Sequence, residues 1–182
     1  MTRLLERLVI VAVSLAISIG VIAFLSGGLL AGRDDPGVSG KGVGPGVQFR
    51  DQGDVHLRPG DLRPVYDSNP PTSGAHIPVP VTRDDSQLSD DQLLQALEVG
   101  NIVFIYGTST PPRGLSALAD AVASPFTPAL AASGQAVILA HQPGTRGVIG
   151  LAWAHMVRVS AVGDPALRSF AAFWLGRGAP AN

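Results

Sequence analysis

Residues 89–106 read SDDQLLQALEVGNIVFIY, and this stretch places a helix directly before a buried strand. Ser89 followed three residues later by Gln92 is a capping-box pattern, which predicts a helix that runs to about Glu98. A glycine two residues later lets the chain leave the helix. The run Asn101–Tyr106 is apolar, β-branched and aromatic, which indicates a strand buried on both faces. We therefore expect this strand to be a central one in the sheet.

Downstream of this stretch, the pattern predicts two more strands and two more helices. They are a helix over Leu115–Val122, a strand over Gln135–Ala140, a longer strand over Val148–Val159 and a helix that begins at Asp164-Pro165. The first of these helices has apolar residues at i, i+3, i+4 and i+7, as an amphipathic helix does. Pro125 and Pro128 are predicted to end it.

The resulting order α-β-α-β-β-α predicts an α/β (α+β) fold with one mixed sheet and helices packed on it. The helix between the first two strands implies that they are parallel. The last two strands are predicted to form an antiparallel hairpin through the turn Pro143–Gly147, and an extra strand is expected before Arg83. The order also resembles the thioredoxin-like core, although the chain has no cysteine and hence no Cys-x-x-Cys.

The N-terminal run Leu8–Leu25 is apolar and uncharged, and its length suits a bilayer crossing of about 20 residues. The apolar core of a signal peptide is usually about 7–15 residues, and Leu29-Leu30-Ala31 is a poor cleavage pattern. We therefore expect an uncleaved single-pass anchor within residues 1–31. Because Arg3 and Arg7 precede the run, the N-terminus is predicted to be cytoplasmic and the rest extracytoplasmic.

Composition separates a linker from a domain and excludes some functions. Residues 32–47 are rich in glycine and proline and are predicted to be a flexible linker, which leaves 48–182 as the extracytoplasmic domain. The net charge of -1 argues against a nucleic-acid partner. The absence of cysteine excludes disulfides and thiolate metal sites.

Residues 66–76 read YDSNPPTSGAH, a rigid polar loop that ends in a histidine. Two consecutive prolines fix two φ angles, and the glycine permits a sharp turn. A histidine held in this way can bind a metal, transfer a proton or cap a backbone group. The candidate ligand-binding residues of this loop are Tyr66, Pro70, Pro71, Thr72, Ser73, Gly74 and His76.

This loop resembles the signature of the bacterial family called domain of unknown function 3105, in which a tyrosine precedes Pro-Pro-Thr-Ser-Gly-Pro-His. The family's second motif, His-Asn-Leu-Glu-His-Gly, corresponds to QALEVG at Gln95–Gly100. Its third region corresponds to AWAHMVRV at Ala152–Val159 and LGRG at Leu175–Gly178. The resemblance covers roughly Val55 to Pro180. It implies histidines at the positions where this chain has Gln95 and Val99.

A zinc or copper site requires three or four nitrogen, sulfur or oxygen ligands. His56 and His76 supply two, and Glu98 is a candidate third, whereas Gln95 is a poor ligand and Val99 is none. A weak or vestigial metal site therefore requires His56, His76 and Glu98 to converge. We expect the loop Pro70–His76 to pack against the Glu98–Asn101 junction, with His56 nearby.

Other polar residues carry weaker signals. Ser73 lies three residues before His76, but no Gly-x-Ser-x-Gly elbow supports a hydrolase. Asp90 and Asp91 are adjacent, so they do not face each other and are interpreted as capping and solubility charges. His155 interrupts an apolar strand and is predicted to be a packed histidine.

Two functional hypotheses remain. The first, which asks least of the sequence, is a membrane-anchored extracytoplasmic module without enzymatic activity or cofactor, which binds a protein or cell-envelope partner. The second is a weak zinc- or copper-binding protein that uses His56, His76 and Glu98. Convergence of these three side chains would distinguish the second from the first.

Overall fold

The computed structural model describes residues 44–180, and these form an α+β fold with one five-stranded mixed sheet and four helices. The strands are β1 (Val47–Gln48), β2 (Ile102–Tyr106), β3 (Val137–His141), β4 (Val148–Ala152) and β5 (His155–Val159). The helices are α1 (Asp90–Glu98), α2 (Leu115–Val122), α3 (Pro128–Ala132) and α4 (Pro165–Trp174). The predicted anchor over Leu8–Leu25 lies outside the described residues.

Within residues 44–180, no helix is both long and apolar enough to span a bilayer.

The helix α1 begins and ends where the sequence predicts. The capping box is complete, because Gln92 N–H donates to Ser89 Oγ at 3.3 Å and Ser89 N–H donates to Gln92 Oε1 at 3.2 Å. Gly100 follows with a φ of 107°, a conformation that favours glycine. The start of α4 is also as predicted, with Asp164 as its cap and Pro165 at its first position.

The strand order is β1-β5-β4-β2-β3, and β2 has a neighbour on each side. It pairs in parallel with β3 and antiparallel with β4, and all five of its residues are buried. The prediction that this strand is central and buried on both faces is therefore confirmed. The expected extra strand before Arg83 is β1, which pairs antiparallel with β5.

Two predictions about strand pairing were wrong. The strands β3 and β4 do not form a hairpin, because they lie on opposite sides of β2. The run Val148–Val159 is not one strand but two, β4 and β5, which pair with each other. The chain reverses at Trp153-Ala154, where Ala154 has a φ of 56°. Neither residue of the turn is a glycine, proline, asparagine or aspartate, and the one glycine of the run, Gly150, lies within β4, so the sequence gives no local sign of this turn.

The helix α2 ends at Val122, before Pro125 and Pro128 as predicted, but α3 was not predicted from the sequence. Pro128 is the first residue of α3, and Thr127 caps this helix by accepting a hydrogen bond from Leu130 N–H at 3.2 Å. A proline is favoured at this position, since its missing N–H has no partner there in any case.

Two apolar layers cover the two faces of the sheet. Val103 and Ile105 of β2 belong to the layer that includes α1, with its buried Leu94 and Leu97. Ile102, Phe104 and Tyr106 belong to the layer that includes α2 and α4. The alternation of side chains along one strand explains why the whole run is apolar. It also places α1 and α2 on opposite faces of the sheet.

An irregular segment, residues 49–83, is attached to the β4–β5 hairpin and to α1. Phe49 N–H donates to Ala154 O at 2.8 Å, and Ala154 N–H donates to Thr72 O at 2.9 Å. The indole of Trp153 donates to Asp51 at 3.2 Å. Because both polar backbone groups of Ala154 bond to this segment, the segment is part of the folded domain.

The outer edge of β3 is covered by the residues that follow this segment. Asp84 Oδ1 accepts a hydrogen bond from Leu139 N–H at 2.7 Å, and Ser86 O accepts one from His141 N–H at 3.0 Å. Pairing of these edge donors reduces the tendency of the sheet to associate edge to edge.

Candidate metal centre

The loop over residues 66–76 is closed by its own side chains. Tyr66 Oη donates to Ala75 O at 2.9 Å, and the hydroxyls of Ser68 and Thr72 lie 3.1 Å apart. A Cβ on Gly74, whose φ is 125°, would lie only 3.0 Å from the Tyr66 ring. The position therefore suits glycine for both its backbone angle and its space.

The buried part of the loop bonds to the chain before it. Pro70, Pro71, Thr72 and Ser73 are all buried. Ser73 Oγ accepts from Gln52 N–H at 3.1 Å and donates to Arg50 O at 3.2 Å. The candidate hydroxyls of this loop thus bond within the protein, and the loop ends in a fixed position at His76.

Backbone hydrogen bonds bring the two candidate histidines side by side. His76 N–H donates to Val55 O at 3.1 Å, and Leu57 N–H donates to His76 O at 2.8 Å. These bonds form a parallel bridge between His56 and His76. Their imidazole rings meet edge to face, with centroids 5.5 Å apart.

Glu98, the last residue of α1, faces both imidazoles. Its Oε2 lies 3.0 Å from His56 Nε2 and 3.0 Å from His76 Nε2. One nitrogen or oxygen atom from each of the three residues lies within 4.8 Å of the others. The structure therefore brings together the three residues that the metal hypothesis requires. We call them the His–His–Glu cluster.

His76 has one paired and one unpaired ring nitrogen. Its Nδ1 lies 3.0 Å from Gly74 O, and a carbonyl can only accept, which assigns the proton to Nδ1. His76 is fully buried, and its Nε2 has no hydrogen-bond partner. Glu98 Oε2 lies only 3.0 Å from this nitrogen, but the two atoms are not hydrogen-bonded.

This arrangement is typical of a metal-binding histidine. Such a residue usually donates its other ring N–H to a carbonyl or carboxylate, which fixes the tautomer and the orientation of the ring. Here Gly74 O accepts that bond, which leaves Nε2 of His76 unprotonated and 3.0 Å from Glu98 Oε2. A buried acceptor without a partner is costly, and a cation at the cluster would satisfy it.

The spacing and chemistry of the donors fit one ion. Ligands about 2 Å from a tetrahedral ion lie about 3.3 Å from one another. The donor atoms here lie 3.0 Å to 4.8 Å apart, so small side-chain shifts suffice. Two imidazoles and a carboxylate are suitable ligands for zinc and copper(II). The site is deepest at His76 and opens at His56, whose side chain is 48% exposed.

Asp91 is a residue of this site that sequence reasoning missed. Its carboxylate forms two hydrogen bonds with Arg63, at 2.7 and 2.5 Å, and accepts a third from Ile77 N–H at 2.9 Å. It therefore fixes the backbone next to His76, a role that its interpretation as a capping and solubility charge did not include. The hydrogen bonds from Arg63 hold the pKa of Asp91 below its ordinary value. Its position seven residues before Glu98, on the same face of α1, was the available signal.

The other positions highlighted by the sequence lie beside the cluster or away from it. Gln95 and Val99 line a groove of about 390 Å³ together with Pro80, Val81 and residues of α3. His141 stacks on Tyr106 at the end of β3. His155 is buried against the Trp174 ring at 3.8 Å, and this burial lowers its pKa. The packed role predicted for His155 agrees with this contact.

The class defined by the fold and the site is an α+β domain that carries a partly buried imidazole–carboxylate cluster. The chain belongs to the family described as protein of unknown function (DUF3105), whose model matches residues 61–181. The resemblance inferred from YDSNPPTSGAH is therefore confirmed. His76 and Glu98 lie within the matched region, whereas His56 precedes it. No curated protein and no solved structure matches the chain significantly.

Proposed function

We propose that this chain is a membrane-tethered extracytoplasmic module that binds one divalent transition-metal ion, zinc or copper(II), and catalyses no reaction. The observation that carries this proposal is the unpaired, buried Nε2 of His76, which lies 3.0 Å from Glu98 Oε2 in a cluster completed by His56. The sequence favoured binding of a partner without a metal. The convergence of the three side chains supports the metal hypothesis instead.

The surrounding residues support a cluster that is organised before an ion arrives. Gly74 O sets the tautomer of His76, and Asp91 fixes the following peptide group. Glu98 is held at the end of α1, where its carbonyl accepts a hydrogen bond from Ala179 N–H at 2.8 Å. Because these groups lose little freedom on binding, a three-ligand site can retain useful affinity.

The proposed location rests on the N-terminal sequence. The apolar run Leu8–Leu25, with Arg3 and Arg7 before it, supports a single-pass anchor with a cytoplasmic N-terminus. The predicted linker 32–47 is shorter at its C-terminal end, because Trp174 donates to Pro45 O at 2.9 Å and Val47 begins β1. The residues before 44 then serve as a tether, and the chain from there onward as the extracytoplasmic domain. Its partner at the cell envelope, apart from the membrane itself, is an ion rather than a nucleic acid.

The sheet supports a thioredoxin-like core without thioredoxin-like chemistry. Four strands lie in the order β5-β4-β2-β3, with β2 and β3 parallel and the other two neighbouring pairs antiparallel. The chain has no cysteine, so this core lacks a dithiol. Since one fold hosts many functions, the proposed metal binding rests on the cluster alone.

Calorimetric titration of the full-length chain with zinc and copper(II) tests the proposal. The chain is purified without a polyhistidine tag. We expect one ion per chain with a Kd of about 1 μM or tighter, and at least about tenfold weaker binding for His56→Ala and for Glu98→Gln. His141→Ala, which removes a histidine remote from the cluster, is the matched control and binds normally. Absence of binding, or equal losses in all three variants, would contradict the proposal.

A further inference from the structure

We infer that the His–His–Glu cluster leaves one coordination position of its ion open, and that a small anion from solution occupies this position. The inference rests on the proposed metal binding and extends it. Four features of the site support the inference: the number of donor atoms, the hydrogen bonds of the nearby carbonyls, the net charge of the ion with its ligands, and the solvent exposure of His56.

The cluster offers too few donors to enclose an ion. In the part of the chain that the structure describes, His56, His76 and Glu98 are the only grouping of three or more His, Cys, Asp or Glu side chains that could hold a metal. Closed structural zinc sites have four protein ligands, whereas sites with three protein ligands keep a fourth position for water or another small ligand.

Nearby backbone carbonyls are already hydrogen-bonded and are poor candidates for the fourth ligand. Val55 O accepts from His76 N–H, and His76 O accepts from Leu57 N–H. Gly74 O bonds to the His76 ring, and Glu98 O accepts from Ala179 N–H. Each of these hydrogen bonds engages one of the two lone pairs of its carbonyl and fixes the direction of the C=O group, so these four carbonyls are not free to turn toward the ion.

Charge and exposure favour an anion that arrives from solvent. Two neutral imidazoles and one carboxylate leave a divalent ion with a net charge of about +1. The His56 side chain is 48% exposed, in contrast to the fully buried His76. The open position therefore faces solvent on the His56 side, and a small anionic donor both completes the coordination and balances the charge.

Position 95 provides a way to close this opening. Gln95 lies three residues before Glu98 on α1, so the two side chains are neighbours on the helix surface. An imidazole at residue 95 is expected to reach the ion and take the place of the anion.

The test uses Co(II), whose visible absorption changes with its coordination, and azide as the anion. In the Co(II)-loaded full-length chain, we expect azide to produce a saturable change in the absorption spectrum. Gln95→His is expected to bind Co(II) at least about tenfold more tightly and to lose the response to azide. Ser116→His adds an imidazole to an exposed position of α2, on the opposite face of the sheet, and is expected to retain the response.

The outcomes separate the two proposals. If Co(II) binds at the cluster, as shown by its loss in His56→Ala, but azide does not alter the spectrum, the open position is wrong and the metal site stands. If Co(II) does not bind, the proposed metal site and the open position both fail. A saturable azide response that disappears in Gln95→His and persists in Ser116→His supports the inference.

Discussion

In the proposed site, His76 has two roles that the sequence presents as alternatives, a structural cap and a metal ligand. Its Nδ1 donates to Gly74 O, while its Nε2 faces Glu98 without a hydrogen bond. The two roles use different atoms, so one side chain performs both. Loss of stability in a His76 variant would therefore not argue against metal binding.

We expect His76→Ala to lower the free energy of unfolding of the metal-free chain by about 2–4 kcal/mol. The side chain is fully buried, so its removal leaves a cavity and an unpaired carbonyl at Gly74. His56→Ala is the comparison variant, because the half-exposed His56 should cost no more than about 1 kcal/mol, chiefly through its hydrogen bond to Glu98. Urea denaturation in the presence of a chelator measures the free energy of unfolding of both variants. Equal, small effects for the two variants would contradict the assigned packing.

At the scale of single residues, the sequence identified the candidate ligands but not their tautomers or hydrogen-bond partners. His56, His76 and Glu98 could be selected because metals require imidazole and carboxylate ligands and the loop resembles a known family. The tautomer of His76 could not be predicted, since it depends on the position of a carbonyl two residues away in a folded loop. Asp91 was missed because its partner, Arg63, lies 28 residues earlier in the chain.

The helix α1 links the two ends of the site. Its first turn carries Asp91, which binds Arg63 and Ile77 N–H, and its last residue is Glu98. The capping box at Ser89 fixes where the helix begins, and Gly100 fixes where it ends. The spacing of the two carboxylates along the helix therefore sets their positions relative to the loop that carries His76.

We expect Asp91→Asn to destabilise the chain by about 1 kcal/mol or more at neutral pH, because it removes the charge of a partly exposed pair and one of the two oxygens that accept from Arg63. The pKa of Asp91 is lowered in the folded chain, so its charge stabilises the fold above the ordinary pKa of 3.8. This stabilisation of the folded chain is lost as the pH falls below that value and through the lowered pKa of Asp91. Urea denaturation at several pH values should show the two proteins converging in acid; a constant difference would contradict the ion pair.

Elements were predicted well where the signal was local and poorly where it was not. The capping box, the proline at the start of α4 and the apolar run of β2 are local patterns. The turn between β4 and β5 depends on Trp153 and Ala154, which bond to Asp51, Thr72 and Phe49 far away in the sequence. Likewise, β3 and β4 pair with opposite edges of β2, and the choice of pairing partner is not encoded in any single segment of the sequence.

At the scale of the described domain, an irregular segment and a regular core share one site. Residues 49–83 wrap against the β4–β5 hairpin and α1, and they contribute His56 and His76, while the core contributes Glu98. The sequence predicted one mixed sheet and a loop beside α1. The contacts that hold the segment in place join residues distant in sequence, so its path could not be predicted.

The central claim is that an ion binds where this segment meets α1, and anomalous diffraction tests it most directly. Crystals of the chain soaked in zinc are measured at wavelengths on either side of the zinc absorption edge. We predict one strong anomalous peak about 2 Å from His56 Nε2, His76 Nε2 and a carboxylate oxygen of Glu98. A well-ordered cluster without a peak, with zinc only at surface carboxylates, would contradict the claim.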